Sequence, residues 1–294
     1  MTDKLGPALL RTMPLPDGTG GKEERGRVLA VAGSRDVPGA ALLAGEAVLR
    51  VGAGKLQLQV PQLIALPIGL AMPEAMSVGL PETEAGGIAA AAAPDILERA
   101  GSCGAILIGP GLVNDDETAE LVARLLDGIA DCPIVLDAAA MMRLTEHRER
   151  LARHAGRVVI TPHFGEMAGI LGIDKDAIEA DPAGTARRVA DEYGVVVVLK
   201  GACSFIAAPG RSALTCDEGH PGLGTAGSGD TLAGLLTGLL GRGADPVQAA
   251  AWAVHLHGEA GHRLARKRGP LGYLAREIPG EVPAILAELC DDAA

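Results

Sequence analysis

The sequence predicts an α/β fold, a mostly parallel central sheet with helices on both faces. Three observations carry this expectation. Short, wholly apolar runs recur along the chain, a Gly or polar turn follows each, and a helix-like segment comes next. A strand that is apolar at every position, not at every second one, is buried on both sides. Sheets covered on both faces by helices are the parallel kind.

Taken in order, the runs are Val28-Leu29-Ala30-Val31-Ala32, Ala105-Ile106-Leu107-Ile108, Ile134-Val135-Leu136, Val158-Val159-Ile160 and Val195-Val196-Val197-Val198-Leu199. Leu56 to Val60 alternates apolar and polar, which predicts a strand with one wetter face. Ser204 to Ala208 and Ser212 to Thr215 flank the turn Pro209-Gly210 and predict an antiparallel hairpin. Leu232, Leu235, Leu236, Leu239 and Leu240 follow helical spacing. Asp245-Pro246 supplies the N-cap and first turn of another helix, whose apolar face continues through Val247, Ala250, Ala251 and Val254. No fixed-period repeat and no linker divides the chain. The expectation is an N-terminal tail over residues 1–26 and a single domain over 27–294.

Composition narrows the function. The 294 residues are 48% hydrophobic but only 2% aromatic, so an ample core must be built from Ala, Val, Leu and Ile. A net charge of −11 without a long basic run argues against nucleic acid or an anionic membrane as partner. No apolar run approaches the ~18 residues that span a bilayer, and Thr2-Asp3-Lys4 opens no signal-type segment. The five cysteines are odd in number and scattered, which argues against a metal cluster or disulfide framework and for a reducing cytosol.

The strongest local signal is Gly224-Thr225-Ala226-Gly227-Ser228-Gly229-Asp230, directly ahead of the Leu-rich helix. A helix start offers free N–H groups and partial positive charge to a phosphate. Glycines let the backbone come close. Gly227, Ser228 and Gly229 thus form a candidate anion hole, and Asp230 a candidate base that takes a proton from a hydroxyl attacking the phosphate. The bland alternative is a Gly-rich helix start and nothing more. Lys200-Gly201 ends a strand where α/β sheets bind ligands; a solvated strand-end lysine is its bland counterpart. His163 and Glu166 sit in a turn shaped by Pro162, and a capping pair is the alternative there. Asp137 reads equally as a ligand contact or a strand-end cap. His255 and His257, two apart on a helix, point to different faces and make a poor metal pair. Trp252 reads as core or interface, and Arg263, Arg266, Lys267 and Arg268 as a solvated helix end.

Several of these segments together resemble the ADP-dependent NAD(P)H-hydrate dehydratases of the ribokinase-like superfamily. The resemblance runs from about Arg27 to about Gly261. It is carried by Val31-Ala32-Gly33-Ser34, Pro38 to Gly45, Arg50 to Gly54, Ile108-Gly109-Pro110-Gly111-Leu112, Val135-Leu136-Asp137-Ala138, Thr161 to Glu166, Leu199 to Ala202, Gly224 to Asp230 and Leu256-His257-Gly258. It implies a ribokinase-like fold and a repair reaction. ADP serves as co-substrate, with Mg²⁺, to remove water from the hydrated cofactors NADHX and NADPHX, yielding NADH or NADPH, AMP and phosphate. It assigns Asp230 to catalysis, and Ala40, Gly111, His163 and Asp230 to the hydrated dinucleotide. It assigns Lys200, Gly201, Ala202, Cys203, Ser204 and Gly229 to the nucleotide. The metal ligands stay unassigned, with Glu166 the candidate to act through water.

The chain departs from the family pattern at Ala139, where a second Asp is usual, at His220, and in the charged segment Gly21 to Gly26. An ATP-dependent kinase of a small hydroxymethyl compound, such as a thiamine precursor, remains the alternative. His163 in place of the kinases' Asn leans away from it. A regulator that has lost catalysis predicts a damaged Asp or glycine turn, and neither is seen. The remaining expectations are a cytoplasmic homo-oligomer and a separate epimerase for the hydrate, since residues before Arg27 leave no room for one.

Overall fold

Each apolar run becomes a strand of one ten-stranded sheet. The structure, a computed structural model, describes residues 2–154 and 156–291. Met1, Ala155 and residues 292–294, which the expected tail and domain include, lie outside the described residues. The first half contains β1 (Thr2–Lys4), α1 (Pro7–Leu10), β2 (Arg27–Val31), α2 (Gly39–Arg50), β3 (Lys55–Pro61), α3 (Gln62–Ala71), β4 (Met76–Leu80), α4 (Ala93–Ala100), β5 (Ala105–Ile108), α5 (Asp116–Gly128), β6 (Ile134–Leu136) and α6 (Arg148–Ala152). The second half contains β7 (Val158–Ile160), α7 (Phe164–Leu171), α8 (Lys175–Ala180), α9 (Pro182–Tyr193), β8 (Val196–Leu199), β9 (Ser204–Ala207), β10 (Ala213–Cys216), α10 (Ser228–Gly241), α11 (Pro246–Arg268) and α12 (Ile278–Asp291).

The strand order is β1-β10-β9-β8-β7-β6-β5-β2-β3-β4. From β4 to β8 every pairing is parallel, and β9 runs antiparallel to β8 and β10, forming the expected hairpin. This is the mostly parallel sheet that the apolar runs predict, and it agrees with the ribokinase-like fold that the resemblance implies.

The uniform apolarity of the strands has a direct cause. Val28 and Ala30 join a core with Leu58, Ala44, Val48, Leu236 and Leu256 on one face, while Leu29 and Val31 join Ile106, Ile108, Leu121 and Val189 on the other. Both parities of β2 are fully buried. Burying a Val or Leu side chain is worth roughly 1.5–3 kcal/mol, so each such strand is anchored from two sides. On the first face α10 crosses α2 closely: a Cβ at Gly234 would stand 2.2 Å from the Ala44 carbonyl oxygen.

Two readings change. Leu56–Val60 was expected to keep one wetter face, but Gln59 is fully buried. The strand is interior, between β2 and β4, and apolar residues cover both faces around it. The described part of the expected N-terminal tail is also tied down between Thr2 and Met13. Thr2–Lys4 pairs with β10, Leu5 and Leu10 are buried, and the Trp252 indole N–H donates to the Met13 carbonyl at 2.7 Å. Trp252 is therefore core.

Chain order places the site. From β2 the chain moves outward through β3 to β4, then returns at β5 on the other side of β2. The carboxyl ends of β2 and β5 flank this reversal, where open α/β sheets bind ligands. Gly33 and Gly111 follow those two ends, and the Gly33 N–H donates to the Pro110 carbonyl at 2.7 Å. Among the described residues no helix is long and apolar enough to cross a membrane.

Candidate active site

The site begins at the start of α10. Gly227 caps this helix with φ +86°, a left-handed conformation that favours glycine. A Cβ there would also lie 2.3 Å from the Leu43 side chain. No side chain caps α10; the Ser228 N–H donates to the Thr225 carbonyl at 3.2 Å, which leaves the Gly229 and Asp230 N–H groups to meet a ligand. Asp230 stands in that first turn. Its carboxyl is pushed up to about 7, first by burial and then by the negative charges of Asp137 and Glu166, with Lys200 pulling the other way.

Those three residues come from neighbouring strand ends. β6, β7 and β8 lie side by side and parallel, so the residues that follow them meet at one edge. Asp137 is buried, accepts from the Thr161 hydroxyl at 2.5 Å, and receives the Lys200 ammonium at 3.1 Å. Lys200 also lies 3.8 Å from Glu166. Burial works against the lysine's charge, but Asp137 and Glu166 outweigh it and hold the ammonium more strongly protonated than usual. One cation thus faces three carboxyl groups, and the Asp230 carboxyl is poised to exchange a proton near neutral pH. Ala138, just after Asp137, has φ +47°, the only non-glycine described residue in the left-handed region. Such strain costs on the order of 1 kcal/mol or more, and here it turns the chain beside the reaction centre.

His163 and Glu166 form a reciprocal cap at the start of α7. The His163 N–H donates to Glu166 at 2.8 Å, and the Glu166 N–H donates to His163 Nδ1 at 3.0 Å. Because Nδ1 accepts, Nε2 carries the proton of the neutral ring and is offered outward from a side chain that is 59% exposed. The capping and functional readings of this pair are therefore compatible.

A cavity of about 490 Å³ opens from this centre, within the usual range for small-molecule sites. Its near end is lined by His163, Lys200, Ser228 and Gly229, and Gly201, Ala202 and Ser204 continue the wall. Cys216, Glu218 and His220 line it further along. Of the nucleotide residues expected from the sequence, Cys203 falls outside the lining; its thiol lies 3.9 Å from the Ser204 carbonyl. Ala40 and Gly111 lie together at the strand-order reversal, outside this cavity. Gly111 has φ +68°, and a Cβ there would stand 2.6 Å from that of Ala40. Gly227 and Asp230 also lie outside the lining, with an Asp230 carboxylate oxygen 3.8 Å from the position of a Cβ on Gly227.

Sequence reasoning missed His257. Its Nε2 lies 2.9 Å from the Ser228 hydroxyl and 3.1 Å from the Ser228 carbonyl. Burial drives the ring down to about 4, against the pull of the Ser228 carbonyl and with help from Lys200, so it is neutral. The segment Leu256-His257-Gly258 was visible, but its contact with α10 is not, because 29 residues separate the partners. His255 points elsewhere, with Nδ1 2.7 Å from Glu218 but off the line of a hydrogen bond. His220 Nδ1 accepts from the Gly222 N–H, and its ring meets His262 edge-on at 5.3 Å. Ala139 lines a separate cavity of about 140 Å³ beside Arg143 and His147. In the Gly21–Gly26 segment, Glu23 pairs with Lys55, and Glu24 accepts from the Gly21 N–H.

Comparison with known proteins adds independent findings. The model of a family described as NAD(P)H-hydrate dehydratase matches residues 28–284. The chain is 50% identical, over 96% of its own length and 95% of the relative's, to an ADP-dependent (S)-NAD(P)H-hydrate dehydratase of Xanthomonas campestris pv. campestris. It is 39% identical to a bifunctional NAD(P)H-hydrate repair enzyme of Moorella thermoacetica, covering 94% of this chain but 52% of that one, about half its length. A crystal structure of the ADP/ATP-dependent NAD(P)H-hydrate dehydratase from Bacillus subtilis, co-crystallised with ATP and Mg²⁺, superposes with a TM-score of 0.80 at 28% identity. That match covers 100% of this chain and 99% of the other.

Proposed function

The chain belongs to the NAD(P)H-hydrate dehydratase family, and from that premise we propose how the site described above carries out the reaction. The reaction is the ADP-dependent dehydration of (S)-NADHX and (S)-NADPHX, a hydro-lyase step that restores NADH or NADPH and releases AMP and phosphate. Hydroxide leaves poorly and phosphate leaves well, so the nucleotide is spent to convert one into the other. The observation that carries the site assignment is Asp230: a carboxyl poised near neutral pH in the first turn of an uncapped helix.

ADP fills the 490 Å³ cavity with its β-phosphate at the start of α10. The N–H groups of the Gly227-Ser228-Gly229 turn and the Lys200 ammonium take up its negative charge. The hydrated nicotinamide enters from the strand-order reversal past Ala40 and Gly111, with His163 Nε2 donating to it. Asp230 removes the proton from the ring hydroxyl, whose oxygen attacks the β-phosphorus as the bond to AMP breaks. The phosphorylated hydrate then loses phosphate, and a proton from the adjacent ring carbon leaves as the double bond returns. A base whose pKa lies near the working pH is the efficient choice for the first step. His257 donates from Nε2 to the carbonyl and hydroxyl oxygens of Ser228, which leaves the Ser228 O–H free to face the phosphate.

Mg²⁺ takes oxygen ligands and keeps several waters. Among the described residues no three His, Cys, Asp or Glu side chains form a metal cage, and the carboxylates beside Lys200 fit an ion shared with phosphate oxygens. Glu166, through water, and Asp137 would hold it there. When bound it supplies positive charge against the phosphates.

The reading extends to a single domain with its N-terminal strand strapped on, acting as a homo-oligomer in the cytoplasm beside a separate epimerase for the hydrate. Light scattering and an epimerisation assay on the purified chain test the last two.

The decisive assay incubates the protein with NADHX, Mg²⁺ and either ADP or ATP and follows the dihydronicotinamide absorbance. Recovery with ADP is expected. No recovery, alongside ATP-dependent phosphorylation of a thiazole or pyrimidine alcohol, would overturn the reading.

A further inference from the structure

A second basin lies at the opposite end of the sheet. Its volume is about 310 Å³, and it opens where Arg25 leads into β2, where α2 ends at Arg50, and where α10 ends beside Arg242. It is thus separated from Asp230 by most of α10, roughly 20 Å of helix. Its lining combines the three arginines with the apolar side chains of Leu15 and Leu286. Among its described lining residues none is acidic, in a chain whose net charge is −11.

The three guanidinium groups are not equally matched. Arg50 lies 3.3 Å from Glu46. Arg242 donates to the Val51 carbonyl at 2.8 Å and to the Pro16 carbonyl at 3.2 Å. Its charge is disfavoured, first by burial and then by the neighbouring charge of Arg25, while Cys290 acts in the other direction. Arg25 has no carboxylate partner among the described residues, and its Nε is buried without an acceptor. An arginine cannot escape by losing its proton. Arg25 is half-buried, and without a carboxylate partner its outer guanidinium nitrogens are available to an anion entering the basin.

We propose that this basin binds a small oxyanion carried on an apolar body, with the phosphate or carboxylate received by Arg25 and Arg242 and the body laid against Leu15 and Leu286. A lining that is part cationic and part apolar favours a ligand with both characters over either half alone. The charged segment Gly21–Gly26, which the dehydration site does not use, thereby acquires a role. Binding here is independent of the reaction at Asp230, since the two sites share no residue.

Isothermal titration calorimetry with hexyl phosphate tests the proposal. ADP is kept at saturation so that the start of α10 is already filled. Saturable binding is expected, at least tenfold tighter than that of inorganic phosphate. Arg25→Gln should weaken it at least tenfold, the usual scale for one charge-assisted contact, with ADP-dependent turnover unchanged. If Arg25→Gln alters the melting temperature, Leu286→Ser in the same lining replaces it, and should weaken hexyl phosphate but not inorganic phosphate. Absence of saturable binding, or affinity unchanged in both variants, overturns the site. Equal affinity for hexyl phosphate and inorganic phosphate overturns the ligand class.

Discussion

Two charge clusters in this molecule are built from the same side chains and behave in opposite ways. Between α11 and α12, Arg263 bridges Glu259 and Glu288, Lys267 meets Glu281, and Arg268 reaches toward the end of the preceding turn at Glu277. Cations and carboxylates match, Glu288 and Glu281 sit at the surface or beside it, and Glu288 is held below the usual carboxylate range by Arg263. At the carboxyl ends of β6 and β8, one lysine serves three carboxyl groups in a buried setting, and Asp230 is displaced upward to about 7. The difference teaches that identity of residue does not set protonation. The ratio of charges and their access to water do, and an imbalance maintained by the fold marks the reaction centre.

The comparison breaks most sharply at Asp230. Asp230→Asn removes the base and should lower kcat by about a thousandfold, within the range for general-base groups, while ADP affinity by calorimetry stays within a fewfold. Unchanged turnover would remove Asp230 from the reaction. Lys200→Met takes away the lone cation. Turnover should fall by about a hundredfold, the KM for ADP should rise, and the pH–rate limb assigned to Asp230 should move to higher pH.

That limb is itself a prediction. Turnover should rise with pH through about 7 as Asp230 gives up its proton. Stability runs the other way. Between about pH 4, where the unfolded chain's Asp230 ionises, and about pH 7, the folded state holds a proton that the unfolded state has lost. The stabilising contribution is therefore complete below that window and is lost as pH rises through it. Thermal melts should show Asp230→Asn more stable than the parent chain at pH 8 and little different at pH 4. Equal melting temperatures at pH 8 would show that the upward displacement is absent.

His257→Leu keeps the buried volume and loses the hydrogen bonds to Ser228. kcat should fall about tenfold, a typical scale for one lost polar contact, with the KM for ADP nearly unchanged. The smallest effect belongs to the matched cluster. Arg268→Ala, at the exposed edge of that cluster, should leave turnover unchanged and move the melting temperature by no more than about two degrees, as surface ion pairs usually do. A loss of activity there would erase the contrast between the two regions.

Much of the scaffold was readable before any coordinates. Val195–Leu199 and Ile134–Leu136 are apolar at every position because helices lie on both sides of them, and that pattern is written along the chain. The turn from Gly224 to Asp230 announces a phosphate-binding helix start, since glycine and a first-turn Asp have local meanings. Other features had no such signal. Thr2–Lys4 is polar and exposed, and its strand is held by backbone pairing at a sheet edge. Gln57 and Gln59 alternate with apolar residues as a half-wet strand would, yet Gln59 is buried because neighbouring strands are covered on both faces. The basic end of α11 is solvated as read at Arg266, Lys267 and Arg268, but Arg263 is largely covered and bridges Glu259 and Glu288 once α12 folds back.

The sequence by itself determined the class of fold, the parallel character of most of the sheet and the glycine-rich helix start that bears Asp230. These depend on periodicity and on local backbone sterics, which act over a few residues. Tertiary structure alone decided that Asp137 would bind Lys200 across 63 positions and that His257 would support Ser228 across 29. It also decided that Asp230, outnumbered by carboxyl groups, would hold a proton near neutral pH. Electrostatic partnership is a matter of distance in space and exclusion of water, and neither is fixed until the strand ends are brought together.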